Sequence, residues 1–148
     1  MSLSLSAAQT IATAALAEAR ARAAKPLAVI VLDAGGQPVT FAREDGATMF
    51  RHDIARAKAL GAIGMGDDTR ILAERAKGNP AFFQSVTAVV GGNIAFSPGG
   101  VLIRDAGAVI GAVGISGDTG DCDEECALVG IRAAGFNLEP NANLENAK

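Results

Sequence analysis

The sequence predicts an α+β domain in which a five-stranded antiparallel sheet is flanked by helices. Three observations carry that expectation. Short apolar runs of strand length fall into two groups, at 27–45 and 85–117, with Gly- and Pro-containing turns between neighbours. Ala-rich segments with helical spacing are kept apart from them, at the start, middle and end of the chain. Hairpin-length connections also leave no room for the crossover that every parallel strand pair needs. At 148 residues and 49% hydrophobic content the chain fits one domain with a real core, expected over 1–136 and followed by a polar tail, 137–148.

The elements follow in order. Leu5 to Ala24 is Ala-rich, with Ser6 placed as a cap and Ile11, Ala15 and Ala19 spaced four apart, so it reads as a helix that Pro26 ends. "LAVIVLD" (27–33) is continuous, apolar and rich in β-branched residues, the pattern of a buried strand. "AGGQ" turns the chain into "PVTFARED" (38–45), whose alternation suits the hairpin partner, with Pro38 tolerated at a first strand position. Thr48 to Met65 is helical in pattern. "GDDTRILAERAKG" (66–78) begins a second helix behind an Asp cap, closed by Gly78 and Pro80. "SVTAVVGG" (85–92), "GVLIRD" (100–105) and "AVIGAVGISG" (108–117) read as three more strands, and Asp121 to Phe136 as the last helix. Glycines at 107, 111, 114 and 117 permit close approach by a helix or another backbone.

Composition removes several function classes. A net charge of -3, a pI near 5.1 and no basic face argue against a nucleic-acid partner. The N-terminal stretch carries no charge before Glu18 and an interrupted apolar run, so it lacks both halves of a secretory signal. No run approaches the ~18 apolar residues of a membrane span. The expectation is a soluble, cytoplasmic protein. Trp and Tyr are absent and His52 is the single histidine, which argues against multi-histidine metal sites, and no metal site is expected.

"GISGDTGDCDEECALVGI" (114–131) gathers acids around both cysteines. Cys122, Cys126, Val129, Ala133 and Phe136 follow one another at helical steps, which predicts a single inward stripe. Asp118, Asp121, Asp123, Glu124 and Glu125 fall on the cap and first turn, where carboxylates gain roughly 0.3–1 kcal/mol each from the helix N-terminus. The spacing does not match a calcium loop. Burial as small hydrophobes is the ordinary account of the thiols. The functional alternative makes Cys122 a reactive thiolate in the first helical turn, against which the neighbouring carboxylates work.

His52 opens "HDIARAKALGAIG", whose stripe continues through Ala55, Ala59 and Ala62, small side chains suited to tight packing or to a ligand. A lone imidazole is usually structural, yet it could serve as a general base or as an axial haem donor. Arg43, Asp45, Arg51 and Asp53 crowd the same region, with surface ion pairing as their ordinary reading. Pro98, Gly99 and Gly100 form either a plain turn or a loop whose bare backbone approaches a ligand. Neither a G-x-G-x-x-G spacing nor a G-K-[ST] ending is present, so a nucleotide fold is not supported.

With "VLDAGG" (31–36), "AREDGA" (42–47), "DIARAKA" (53–59), "SPGGVLIRDAGAVIGAVGISG" (97–117) and "DEECALVGI" (123–131) in this order, the chain resembles the GlcG/HbpS-like haem-binding family, which includes the C-terminal domain of PduO-type proteins. The resemblance implies a profilin-like sandwich and homo-oligomers built from it. It implies haem as the most probable named ligand, although some members lie beside catabolic genes. The family usually carries Gln where this chain has Cys122, and an aliphatic residue where it has Cys126.

A haem site needs an apolar slot, an axial donor and cations for the propionates. His52 is the candidate donor, Phe82, Phe83 and Phe96 the candidate lining, and Arg43 or Arg51 the candidate partner of the carboxylates. The competing expectation is an enzyme acting on a small carbonyl or carboxylate metabolite. There His52 would be the acid/base, Arg43 the anion holder and Pro98–Gly100 a source of backbone donors.

Overall fold

The computed structural model describes residues 2–138. The elements run α1 (Leu5–Ala21), β1 (Ala28–Asp33), β2 (Pro38–Arg43), α2 (Phe50–Met65), α3 (Thr69–Gly78), α4 (Pro80–Val89), β3 (Gly100–Asp105), β4 (Ala108–Ser116) and α5 (Gly120–Ala133). The α+β class and the antiparallel sheet agree with the expectation. The strand number does not: the sheet has four strands, in the order β2-β1-β4-β3.

The missing strand is 85–92, which is the second half of α4 and the turn after it. Its β-branched residues favour a strand locally, but Pro80 at the helix start and the Asn79 side chain, which accepts from the Phe82 N–H, set a helical register first. Within α4 only Phe83 is buried. Other boundaries move by a few residues. Ser4 rather than Ser6 caps α1, Thr119 caps α5, and α5 ends at Ala133. Of the expected tail, Asn137 and Leu138 border a cleft, while 139–148 lie outside the described residues.

Alternation along the strands builds two cores. Val29 and Val31 of β1, Val101 and Ile103 of β3, and Val113 and Ile115 of β4 point to one face, where α1 and α5 cover them. Ile30, Leu32, Leu102 and Ala112 point to the other, against Ala55, Ala59 and Ala62 of α2. The small-residue stripe of α2 is therefore a packing surface. It is matched by Gly100 and Gly114, directly opposite one another across β3 and β4. A Cβ on Gly114 would lie 1.9 Å from the Ala55 carbonyl oxygen, and one on Gly100 would lie 2.4 Å from that of Lys58. This paired absence of side chains is what lets α2 sit so close to the sheet.

The outer edge of β3 is closed by side chains. Thr69 Oγ1 accepts from the Gly100 N–H at 2.8 Å and Asp68 Oδ1 accepts from the Leu102 N–H at 2.9 Å. Among the described residues no helix is long and apolar enough to cross a membrane.

Candidate functional site

His52 lies in the first turn of α2, with its side chain 43% exposed. The imidazole meets the Phe41 ring of β2 edge to face, centroids 4.7 Å apart, and its Nδ1 is 4.0 Å from Asp53 Oδ1. Phe41, Met49 and Phe50 are themselves exposed, the last two immediately preceding Arg51 and His52 at the helix start. Arg51, its neighbour, donates from Nη1 to the buried Ser116 Oγ at 3.2 Å. Arg43 is exposed at the end of β2 and lines a shallow cleft with Arg20, Pro26, Glu44 and Asp45.

The candidate aromatic lining lies elsewhere. Phe82, Phe83 and Phe96 form a chain of edge-to-face contacts at 5.3 and 5.0 Å, with the Arg75 guanidinium 5.3 Å over the Phe83 ring. They belong to α4 and the loop after it, toward the far end of α2, where Ile94 packs on Gly61. Nine residues of helix separate Gly61 from His52, roughly 13 Å of rise. No ring contact among the described residues joins these phenylalanines to His52.

Pro98, Gly99 and Gly100 run over a buried ion pair. Lys58 Nζ donates to Asp123 Oδ2 at 3.1 Å and to the Ile115 carbonyl at 2.9 Å, both side chains being almost fully buried. Asp123 Oδ1 in turn accepts from the Asp118 N–H at 3.1 Å. Gly99, at φ +128°, closes the pair from above, and a Cβ there would meet both Lys58 Nζ and the Ile115 oxygen at 2.8 Å. Burial lowers the Lys58 pKa, and Asp123 opposes that shift. Burial likewise raises the Asp123 pKa against the pull of Lys58. The pair ties α2, the end of β4, the glycine loop and the start of α5 to one point.

Sequence reasoning missed Lys58 and misread Asp123 as part of the helix's N-terminal charge complement. A signal was present. Lys58 falls between Ala55, Ala59 and Ala62 on the buried side of α2, and Asp123 precedes Cys126, Ala127 and Gly130 on that of α5. The expected α5 stripe is thus rotated by about one residue, since Val129 is only partly buried and Ala133 is exposed. The remaining acids are also partnered. Asp121 and Glu124 hold Arg70, Glu125 is 3.7 Å from Arg22, and Asp118 accepts from the Lys25 N–H at 3.2 Å.

Both thiols are free. Cys126 is buried, and that burial, with Cys122 beside it, pushes its pKa up to about 12. Cys122 is partly exposed, and burial together with the Asp118 carboxylate raises its pKa too. Neither environment favours a thiolate.

The chain is a three-layer α+β sandwich whose single imidazole stands at a helix start, and sequence comparison supplies the family. The family profile described as haem degrading protein HbpS-like matches residues 3–132, and the chain belongs to that family. Among solved structures, a PduOC:haem complex shares 24% identity at a TM-score of 0.86, covering 95% of this chain and all (100%) of that one. A double mutant of Streptomyces reticuli HbpS shares 30% identity at a TM-score of 0.79, with 91% and 88% covered. Klebsiella pneumoniae protein ORFY shares 26% identity at a TM-score of 0.83, with 93% and 92% covered. No match was found among curated proteins.

Proposed function

We propose that this chain is a cytoplasmic, oligomeric haem-binding protein that receives haem at the start of α2, with His52 as axial donor. One observation carries the reading: the chain's only imidazole stands half exposed against the exposed Phe41 ring, and no hydrogen bond among the described residues engages its Nε2. The residue types fit the group. Haem needs a nitrogen donor, apolar contact for its face and cations for its propionates, and Arg43 and Arg51 lie close to Phe41 and His52 in sequence and supply the last. Family membership and the haem complex of a structural relative support the same ligand. Phe82, Phe83 and Phe96 pack on one another, so Phe41 takes over the lining role in this reading. Bound haem would supply a redox-active iron, while the protein sets its donor, its polarity and its exposure.

The alternative of an enzyme for a small carbonyl metabolite asks for free backbone donors at Pro98–Gly100. The Gly100 N–H is already held by Thr69. The deciding experiment is a haemin titration: a saturable Soret shift is expected, lost in His52→Ala with no loss of folding. A featureless, non-saturating titration removes haem from the reading. A saturable shift unchanged by His52→Ala moves the donor elsewhere.

A further inference from the structure

A cleft of about 170 Å³ opens between α3, β3 and α5, away from His52. Ile71, Val101 and Leu128 give it an aliphatic floor, and charged groups line it as well. One of its two arginines is spent: Arg70 is held by Asp121 and Glu124. What remains is Asp68 and Arg104, and among the described residues neither has its full set of partners. Asp68 occupies the N-cap position of α3 but makes no side-chain cap, having turned one oxygen to the Leu102 N–H. Among the described residues its second oxygen accepts no hydrogen bond. Arg104 has neither a hydrogen bond nor an ion pair within 4 Å among the described residues, and it also borders an adjoining cleft of about 100 Å³ with Asp105 and Asn137.

Two opposite charges therefore face one cavity, close enough to influence each other and too far apart to pair. Among the described residues each lacks the full set of partners that a partly buried charge needs, and aliphatic side chains line the same cavity. A molecule that satisfies both must bring a cation to the carboxylate, an anion to the guanidinium and a hydrocarbon body between. The volume sets its size, since a cavity of about 150 Å³ holds a benzene-sized body. Haem is excluded by that size alone. We propose that this cleft binds a small aliphatic α-amino acid, its ammonium on Asp68, its carboxylate on Arg104 and its side chain on the floor of Ile71, Val101 and Leu128.

The test is calorimetric titration of the full chain with L-leucine, beside 4-methylpentanoate, which lacks the ammonium, and isoamylamine, which lacks the carboxylate. Saturable one-to-one binding of L-leucine is expected, with each one-charge analogue weaker by about tenfold or more, as charge-assisted hydrogen bonds imply. Asp68→Asn keeps the acceptor for the Leu102 N–H while removing the charge, and Arg104→Gln removes the other. Each should weaken L-leucine by a similar factor, with the melting temperature reporting that the fold is intact. His52→Ala should leave this binding unchanged. No saturable binding up to the solubility limit overturns the proposal, as does equal affinity for either analogue or undiminished binding by Asp68→Asn. The analogue comparison uses the unaltered protein, so it decides the matter even if a variant fails to fold.

Discussion

Lys58 is the residue whose loss should be felt most. Replacing it by Met leaves the Asp123 carboxylate buried without its cation, which costs about 3–5 kcal/mol, whereas replacing both partners by apolar residues of similar volume is expected to be close to neutral. Urea denaturation of Lys58→Met, Asp123→Leu and the double variant measures this. A double variant as unstable as the singles would show that the pair's neighbours, not its charge balance, set the cost. The thiols make a second prediction. Because the Cys126 pKa is raised to about 12 in the folded chain, its stabilising share is complete below the ordinary thiol value near 9 and is lost as pH rises from there towards 12. The full loss is on the order of 4 kcal/mol, so Cys126→Ala should flatten the alkaline limb of the stability profile. Alkylation of the native protein near neutral pH should be slow at Cys122 and slower at Cys126. Rapid labelling of Cys122 with loss of haem binding would make it a site residue. His52 and the thiols were legible in the sequence because their chemistry is rare there. Lys58 was not, since a lysine is solvated by default and its partner is 65 residues away.

At the scale of elements, the approach of α2 to the sheet depends on Gly114. An added methyl would lie 1.9 Å from the Ala55 carbonyl, and rigid backbone stands on both sides, so Gly114→Ala should destabilise by about 3 kcal/mol or more. Gly64, near the exposed end of the same helix, is the control. Nothing lies within 4 Å of its missing Cβ, and Gly64→Ala should stabilise by about 0.5–1 kcal/mol through helix propensity. Chemical denaturation of the two variants should move their midpoints in opposite directions. The glycines of β4 were readable as a place of close approach. The strand assigned to 85–92 was misread because a run of Val and Thr says how residues like to pack, not which element they join. The Asn79–Pro80 start lies upstream of that run and decided the outcome. The helix also leaves Phe82, Val89 and Val90 exposed, a pattern that alternation alone resembles.

For the molecule as a whole, Phe41, Met49 and Phe50 stand exposed on β2 and the start of α2, and a homo-oligomer that covers them is expected. Sedimentation at micromolar concentration should give a species well above the 14.9 kDa of one chain, and a purely monomeric boundary would rule this out. The order of elements and the two-sided core could be read in the sequence because periodicity records which face is buried. Which subunit surfaces meet is not recorded in that way, since a docking face and an ordinary exposed apolar residue look alike. The closed flank of β3 limits what such assembly can be. With Asp68 and Thr69 already occupying the N–H groups of Leu102 and Gly100, the sheet edge left without such side-chain partners among the described residues is that of β2. A body with a single adhesive border can join one twin across a two-fold axis and then has nothing left to offer. Growth by strand addition through β2 is therefore expected to stop at two copies, because the open-ended fibre that exposed edges invite needs a second edge from which to propagate.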